Sequence, residues 1–261
     1  MAEALIIKDV CKKWDDFEIK DIDIELPAKC VVGLAGDIGA GKSSLVKMIM
    51  DVIHPDSGEI SVFGYDSVKD RRKIRNITGL ALEEAFFPGY MNAMDVETTM
   101  KGLYSEWSPN RYSYMLDMLG VEKLRKIKKM EKPERVKLNL AVAMSHGTKL
   151  LIIDDILTDL DGSSIKSIVK ALKAFVYDDG GSLFISSRVL GDFEGLCDYF
   201  AFMREGNLEF FDLKDNLMEQ YASIDKSVDL DEIMLYINKK ARHSAKGNMK
   251  NRNLKKKKGK K

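Results

Sequence analysis

The sequence predicts an α/β protein with a mixed sheet whose core strands run parallel. Three continuous apolar runs support this prediction, because strands buried on both faces of a parallel sheet lack polar alternation. They are CVVGLAG at 30–36, LLIIDD at 150–155 and SLFISS at 182–187. With 261 residues, of which 45% are hydrophobic, the chain is long enough for one main domain of this class with a sizeable core.

Other segments alternate apolar and polar residues. Residues 2–14 and 17–26 have the pattern of antiparallel strands with one solvated face. A turn at 54–58 leads into a further strand, EISVFG. The stretch 199–211 predicts a hairpin that turns at 205–207. The predicted sheet is therefore antiparallel outside its core.

The segment GDIGAGKS fits the pattern G-x-x-x-x-G-K-[ST] and follows the first buried run. Its glycines let consecutive backbone N–H groups point into one concavity, and the positive end of the next helix attracts phosphate as well. Lys42 would reach the outer phosphates and Ser43 would bind Mg²⁺. The predicted nucleotide contacts from this segment are Gly36, Asp37, Gly39, Ala40, Gly41, Lys42, Ser43 and Ser44.

Helical spacing of apolar residues follows the loop and recurs later in the chain. The first helix is predicted from Leu45, Met48, Ile49 and Val52. From about residue 71 to 145 the pattern is mostly helical, with candidate helices at 91–103, 111–119 and 134–144. We interpret this stretch as a helical block inserted into the α/β scaffold.

The run LLIIDD ends in two adjacent acids. A strand that places Asp154 beside the phosphate loop would bring its carboxylate into the Mg²⁺ shell, and Asp155 would lie near an attacking water. Such a run is weak evidence by itself. In combination with the phosphate loop it strongly indicates a nucleotide site.

Charge is distributed unevenly along the chain. Residues 239–261 contain twelve Lys or Arg and no acid, so the net charge of +1 becomes −11 over residues 1–238. A block of like charges with little to bury is usually disordered and solvated. Contact with anionic lipid, with RNA or with the acidic body are the alternatives for this tail.

Cysteine content and hydropathy exclude several classes of protein. Cys11, Cys30 and Cys197 are far apart and odd in number, which argues against a disulfide framework or a zinc site. No apolar run approaches the roughly 20 residues of a membrane-spanning helix, and the amino terminus is not that of a signal peptide. We therefore expect a reduced, cytosolic chain.

The layout of about residues 3–211 resembles the nucleotide-binding subunit of an ABC transporter. Residues 54–66 are similar to the turn and strand that follow its phosphate-loop helix, and DLD at 159–161 looks like the end of its D-loop. Trp14 stands where the family places the aromatic residue that stacks on adenine. The stretch that begins FFPGYMNAMDV resembles a bacterial subgroup whose partners are small export or antibiotic-response permeases.

The resemblance implies a P-loop NTPase of ABC type, with an antiparallel β subdomain and a helical subdomain at about 85–145. The nucleotide-binding domain would cover 1–238, and the tail would cover 239–261. ATP and Mg²⁺ are the implied cofactors, and ATP hydrolysis is the implied activity. The implied partners are a multi-pass membrane permease and a second nucleotide-binding domain, in a homo- or heterodimer. The chain would then be cytoplasmic, at the inner face of the membrane.

Four short motifs of the family differ in this sequence. Where a glutamine is expected, the chain has Glu83, which can still offer an oxygen to Mg²⁺. The signature motif falls on MEKPE at 130–134, where Glu131 would repel a phosphate and Pro133 has no N–H to donate. We therefore favour helix capping by Glu131 and Glu134 over phosphate binding.

The remaining two differences concern the implied catalytic residues. Asp155 stands where the family has a water-orienting glutamate and is one methylene shorter, and misplacement by about 1 Å can cost a hundredfold in rate. Arg188 stands where a histidine contacts the γ-phosphate, and it keeps its charge at all physiological pH values. His146 is the nearest histidine but falls in a loop.

These residues predict an ATP-binding subunit of an ABC transporter that hydrolyses ATP slowly with Asp155, Glu83 and Arg188. One alternative is a non-catalytic regulatory subunit of a heterodimeric transporter. A second is a soluble cassette protein that acts on ribosomes or nucleic acid. Only the basic tail supports the second alternative, and a single cassette weighs against it.

Overall fold

Ten strands form one mixed sheet in the computed structural model, which describes residues 2–82, 87–188 and 191–222. In chain order the strands are β1 (Glu3–Lys13), β2 (Glu18–Pro27), β3 (Val31–Ala35), β4 (Ser57–Val62), β5 (Tyr65–Asp66), β6 (Thr78–Leu82), β7 (Leu150–Asp154), β8 (Ser182–Ser187), β9 (Tyr199–Arg204) and β10 (Asn207–Leu213). Their order across the sheet is β5-β4-β1-β2-β10-β9-β3-β8-β7-β6.

The two halves of the sheet differ in strand direction. Strands β6, β7, β8, β3 and β9 run parallel to one another, and β3, β7 and β8 are almost wholly buried. Strands β5, β4, β1 and β2 pair antiparallel. The halves meet where β10, antiparallel to β9, makes a parallel pairing with β2. The predicted parallel core, antiparallel β part and hairpin are confirmed.

The described residues also form seven α-helices and two short 3₁₀ turns. The helices are α1 (Lys42–Ile49), α2 (Arg71–Ile77), α3 (Ala93–Leu103), α4 (Pro109–Leu119), α5 (Lys132–Ala143), α6 (Gly162–Tyr177) and α7 (Lys214–Ala222), and the turns are Ile127–Lys129 and Gly191–Phe193. Helices α3, α4 and α5 lie between β6 and β7 in the chain. They form the helical insertion that the sequence predicted.

Polar side chains begin three of these helices. Asn92 Oδ1 accepts from the Asp95 N–H at 3.0 Å, and Ser108 Oγ accepts from the Arg111 N–H at 3.2 Å. Asp161 Oδ1 accepts from the first N–H groups of α6. Each bond satisfies a backbone donor that has no partner within its own helix. These caps fix where α3, α4 and α6 begin.

Two details of the predicted helices were wrong. Thr78–Leu82 lies within the stretch interpreted as mostly helical but forms the edge strand β6, paired in parallel with β7. Five residues are too few for a helical period to be excluded by pattern, and pairing with β7 decides the outcome. Val52 lies beyond α1 and is 66% exposed, because the helix ends at Ile49 before reaching it.

The chain divides into two units, residues 1–214 and 215–261. The sheet and helices α1 to α6 belong to the first unit. Of the second unit, the structure describes residues 215–222, which are helical. The predicted basic tail at 239–261 lies outside the described residues. Within the described part of the chain, no helix combines the length and apolarity needed to span a bilayer.

Candidate functional site

The phosphate loop runs from the end of β3 to the start of α1 and approaches other backbone very closely. A Cβ on Gly36 would lie 2.2 Å from the carbonyl oxygen of Met203 in β9, so a side chain cannot be accommodated there. Gly41 has φ +108°, a conformation that L side chains rarely adopt. The Gly206 N–H, at the turn between β9 and β10, donates to the Ala40 carbonyl at 3.0 Å. The hairpin therefore braces the loop from behind.

Lys42 begins α1 and points its ammonium back along this loop. Its Nζ donates to the carbonyl of Gly36 at 2.5 Å and to that of Asp37 at 3.1 Å, and the residue is only 7% exposed. Burial lowers the pKa of Lys42, while the carboxylates of Asp155 and Asp154 oppose that shift. The site therefore holds a cation beside the backbone of the loop, and such a cation favours phosphate binding.

Asp154 ends strand β7 beside the loop. Its neighbour across the parallel pair is Ser186 in β8, whose hydroxyl donates to Asp154 Oδ1. Because both strands run in the same direction, their carboxyl ends meet at one edge of the sheet. This register fixes the orientation of the Asp154 carboxylate.

Asp155 follows in a left-handed backbone conformation, with φ +51°, and its N–H donates to the Ser186 carbonyl. Thr158 donates its hydroxyl hydrogen to Asp155 Oδ1 at 2.9 Å, and Arg188 Nε donates to Oδ2 at 3.0 Å. The Arg188 Nη2 also donates to Thr158 Oγ1 at 2.6 Å. Asp155, Thr158 and Arg188 thus form a closed hydrogen-bonded triangle. Sequence reasoning missed Thr158, although its position three residues after Asp155 placed it in the same turn.

A cavity of about 470 Å³ joins these groups. Its volume suits a small-molecule ligand. The cavity is lined by Phe17, Ile38, Gly39, Ala40, Gly41, Lys42, Ser43, Ser44, Asp154, Asp155 and Arg188. The fold therefore brings most of the predicted site residues from the loop, from β7 and from the end of β8 to one place.

Three predicted residues lie elsewhere. Gly36 and Asp37 form the back of the loop, where their carbonyls receive the Lys42 ammonium. Trp14 is absent from the described cavity lining. Phe17 takes that position instead, and the two rings lie 5.8 Å apart between centroids. The predicted position of Glu83 lies outside the described residues.

The signature segment caps a helix, as the sequence interpretation favoured. Glu131 is the N-cap of α5, and its backbone N–H donates to the Glu134 carboxylate at 3.3 Å. Pro133 fits the first turn because its missing N–H is one that the helix leaves unpaired. Lys132 Nζ lies 3.7 Å from Asp159. Glu131 and Glu134 therefore cap the first turn of α5.

The donor groups at the cavity fit Mg²⁺ of the kind that nucleotides carry. Mg²⁺ takes oxygen ligands and is usually held by one or two protein groups together with phosphates and waters. The Ser43 hydroxyl and the Asp154 carboxylate both line the cavity. Among the residues that the structure describes, no group of three or more His, Cys, Asp or Glu forms a metal cage, so a metal bound by protein alone is not indicated.

Comparisons with solved structures agree with this fold. The ATP-binding subunit of an ABC transporter matches with a TM-score of 0.80 and 20% identity, over 90% of this chain and 99% of that one. A dimeric ATP-binding cassette in a post-hydrolysis state with ADP and Pi matches with a TM-score of 0.71 and 18% identity, over 80% and 98% of the chains.

Sequence comparisons extend the result. A bacitracin transport ATP-binding protein of Bacillus licheniformis is 26% identical over 80% of this chain and 69% of its own length. A lantibiotic transport ATP-binding protein of Streptococcus pyogenes is 29% identical over 78% of this chain and 89% of its own length. The family model for ABC transporters matches residues 19–158, which is more than half of the chain. With the phosphate loop and the two acids in one cavity, the chain therefore belongs to the ATP-binding subunits of ABC transporters, an ATPase family.

Proposed function

We propose that this chain binds Mg·ATP in the cavity and passes the closure of a cassette dimer, accompanied by slow hydrolysis, to a multi-pass membrane permease. The convergence of the phosphate loop, Lys42 and both terminal acids of β7 on one cavity supports this proposal most directly. Backbone N–H groups and the start of α1 would hold the phosphates. Ser43 and Asp154 would hold Mg²⁺, whose role is to neutralise the phosphate oxygens.

The base of the nucleotide would lie against the aromatic residues beside the loop. Phe17 lines the cavity, and Trp14 packs against Phe17 at a tilt of 34°. An adenine ring stacks favourably on such a surface. In this proposal Phe17 supplies the contact and Trp14 supports it from behind, which refines the stacking role that the resemblance gave to Trp14.

Hydrolysis is slow in this proposal because Asp155 is already engaged. Both of its carboxylate oxygens accept hydrogen bonds, one from Thr158 and one from Arg188. A water that attacks phosphate must reach the lone pairs that these two bonds leave open, so Thr158 and Arg188 restrict the directions from which it can approach. The aspartate side chain is also shorter than the glutamate of the family, which adds a second cost.

Nucleotide binding can be tested by titrating the purified chain with ATP and Mg²⁺ in a calorimeter. We expect Lys42→Ala to weaken binding between tenfold and a hundredfold, roughly the value of a hydrogen bond between charged groups. Lys47→Ala is the matched control, because Lys47 is exposed on the same helix α1. Equal affinities of the wild type and Lys42→Ala would contradict the proposal.

A second candidate function is a regulatory subunit that binds ATP and leaves hydrolysis to an intact partner. The engaged carboxylate of Asp155 favours this candidate as well. Single-turnover hydrolysis separates the two functions. Release of phosphate by the chain alone supports the first, and release only after an intact cassette partner is added supports the second.

The permease would contact the helical insertion, at the cytoplasmic side of the membrane. Two large apolar side chains near α3 are 73% exposed, those of Tyr90 and Leu124. A permease that covered these two side chains would remove apolar surface from water. Lipid binding by the tail, and the weaker alternative of nucleic-acid binding, remain predictions for residues 239–261.

A further inference from the structure

The triangle of Asp155, Thr158 and Arg188 has a single possible direction. A guanidinium can only donate hydrogen bonds, so Thr158 Oγ1 accepts from Arg188. The one hydroxyl hydrogen is then left for Asp155 Oδ1, as the 2.9 Å contact shows. Thr158 therefore joins the cation and the carboxylate through one atom, in addition to their direct 3.0 Å contact.

Arg188 also belongs to the phosphate cavity. It lines that cavity together with Lys42, and its positive charge adds to the effect of burial in lowering the pKa of Lys42. The side chain of Arg188 is 36% exposed and that of Asp155 is 26% exposed, so solvent and ligands reach the pair. A terminal phosphate bound beside Lys42 would compete with Asp155 for this guanidinium, because both are anions that accept from it.

We propose that Thr158 is a positioning residue that sets how strongly the site prefers ATP to ADP, because its hydroxyl holds Arg188 on Asp155 and away from the terminal phosphate. ADP lacks that phosphate and leaves the triangle intact. Nε and Nη2 of Arg188 are directed at Asp155 and Thr158, so ATP gains the contact of these two groups only after those bonds have been broken. The Thr158 hydroxyl therefore lowers the affinity for ATP relative to that for ADP, because its bond with Arg188 is lost when ATP binds. This proposal rests on the proposed ATP binding.

Removal of the hydroxyl tests the proposal with a matched pair of variants. Thr158→Val keeps the shape of the side chain and loses both hydrogen bonds, whereas Thr158→Ser keeps the hydroxyl. The affinities to measure are those of the full chain for ADP and for the non-hydrolysable β,γ-imido analogue of ATP, both with Mg²⁺. We expect Thr158→Val to raise the ratio of the affinity for the ATP analogue to the affinity for ADP about fivefold, the value of one ordinary hydrogen bond. Thr158→Ser should leave this ratio unchanged.

The effect must pass through Arg188. In an Arg188→Gln background we expect the ATP analogue to bind more weakly than in the wild type, ADP to bind as before, and Thr158→Val to have no further effect on the ratio. Such a cycle isolates the coupling between the two residues. Thr158→Ala, which also lacks the hydroxyl, provides a second test if the valine does not fold.

Three outcomes would overturn the proposal: an unchanged ratio in both Thr158→Val and Thr158→Ala, an equal loss for both nucleotides, or the same effect of Thr158→Val without Arg188. If the wild type binds neither nucleotide, the proposed function itself fails. If it binds both and the ratio does not respond, only the role of Thr158 fails.

Discussion

The two walls of the nucleotide cavity hold their cations in different ways. On the wall formed by the phosphate loop, Lys42 donates to two backbone carbonyls, which carry only partial charge. On the wall formed by the carboxyl ends of β7 and β8, Arg188 donates to the carboxylate of Asp155 and to Thr158. A phosphate easily replaces a carbonyl as the partner of a cation, but it must compete with a carboxylate on nearly equal terms. Lys42 on the first wall can therefore exchange its carbonyl partners for a phosphate, whereas Arg188 on the second wall already has a charged partner.

The same division separates the residues that follow the family pattern from those that depart from it. The loop keeps every position of its motif, whereas Asp155 and Arg188 both differ from the residues that the resemblance implies. Their differences are complementary, because an arginine pairs with a carboxylate in a way that a neutral histidine does not. Substitutions in the loop are thus expected to weaken nucleotide binding, whereas substitution of Asp155 is expected to act mainly on turnover.

The largest effect is expected from the closest backbone approach on the binding wall. Gly36→Ala places a Cβ about 2.2 Å from the Met203 carbonyl, and we expect it to lower the free energy of unfolding by about 3 kcal/mol. Gly39→Ala is the control, because a Cβ there meets nothing within 4 Å and its φ of +80° costs about 1 kcal/mol. Urea unfolding measures both. Similar values for the two variants would contradict the bracing of the loop by β9.

The adjacent acids should separate turnover from binding. We expect Asp155→Asn to lower steady-state phosphate release about a hundredfold without weakening ATP binding, because the loss of the carboxylate also releases Arg188. Asp154→Asn should instead weaken Mg²⁺-dependent ATP binding about tenfold, because it removes a charged ligand. Phosphate-release assays and calorimetry check these results. Equal turnover of the wild type and Asp155→Asn would show that the second wall takes no part in hydrolysis.

His146 is not among the described residues that line the cavity. Its titration should therefore change the stability of the fold without changing the affinity for ATP. Its ring stacks on Tyr104, and its nitrogens face the carbonyls of Val142 and Thr78 at 3.3 and 3.2 Å. Burial lowers the pKa of His146 below its ordinary value of 6.5. The unfolded chain therefore binds this proton more readily, and the free energy of unfolding should fall as the pH drops below 6.5.

Urea unfolding at pH 7.5 and pH 5.5 measures this dependence. We expect the wild type to lose more stability than His146→Gln over this interval, by at most about 1.4 kcal/mol, the limit that the unfolded pKa sets. ATP affinity should show no difference in pH dependence between the two proteins. A difference in affinity would connect His146 to the cavity and would break the division between the walls.

The smallest effect is expected at the start of α5. Glu134→Gln weakens the contact with Arg125 and the bond from the Glu131 N–H. Exposed pairs of this kind contribute little, so we expect the melting temperature to fall by about 2 °C. Nucleotide affinity should stay the same. A large loss of affinity would mean that the signature helix supports the cavity of its own chain.

Local sequence predicted which residues of the loop and of β7 come together at the cavity, because their placement depends on neighbours in the chain. A strand, glycines and a helix start within 36–44 leave few other conformations, and the apolar run before Asp154 fixes its strand. The position of Phe17 depends on how β2 begins relative to the loop, which no local pattern contains. The triangle around Asp155 depends on contacts that cross from the turn after β7 to the end of β8.

The edge strand β6 shows the same limit in the fold. Its five residues carry too little periodicity to be separated from the helices around them, and its pairing with β7 is a long-range contact. The sequence contains residue types that commonly cap helices, but it does not show which of them begins a helix, because many polar residues can act as the N-cap. Tertiary contacts decide where such short elements begin and end.

The hairpin that braces the phosphate loop also sets when the site can form. Met203 and Gly206 contact a loop that is synthesised about 160 residues earlier, and Gly206 also accepts from the Lys20 N–H. During synthesis, the glycine loop emerges first and lacks its supporting backbone until β9 and β10 have left the ribosome. A growing chain would thus complete the support of its phosphate loop only when the first unit is almost finished.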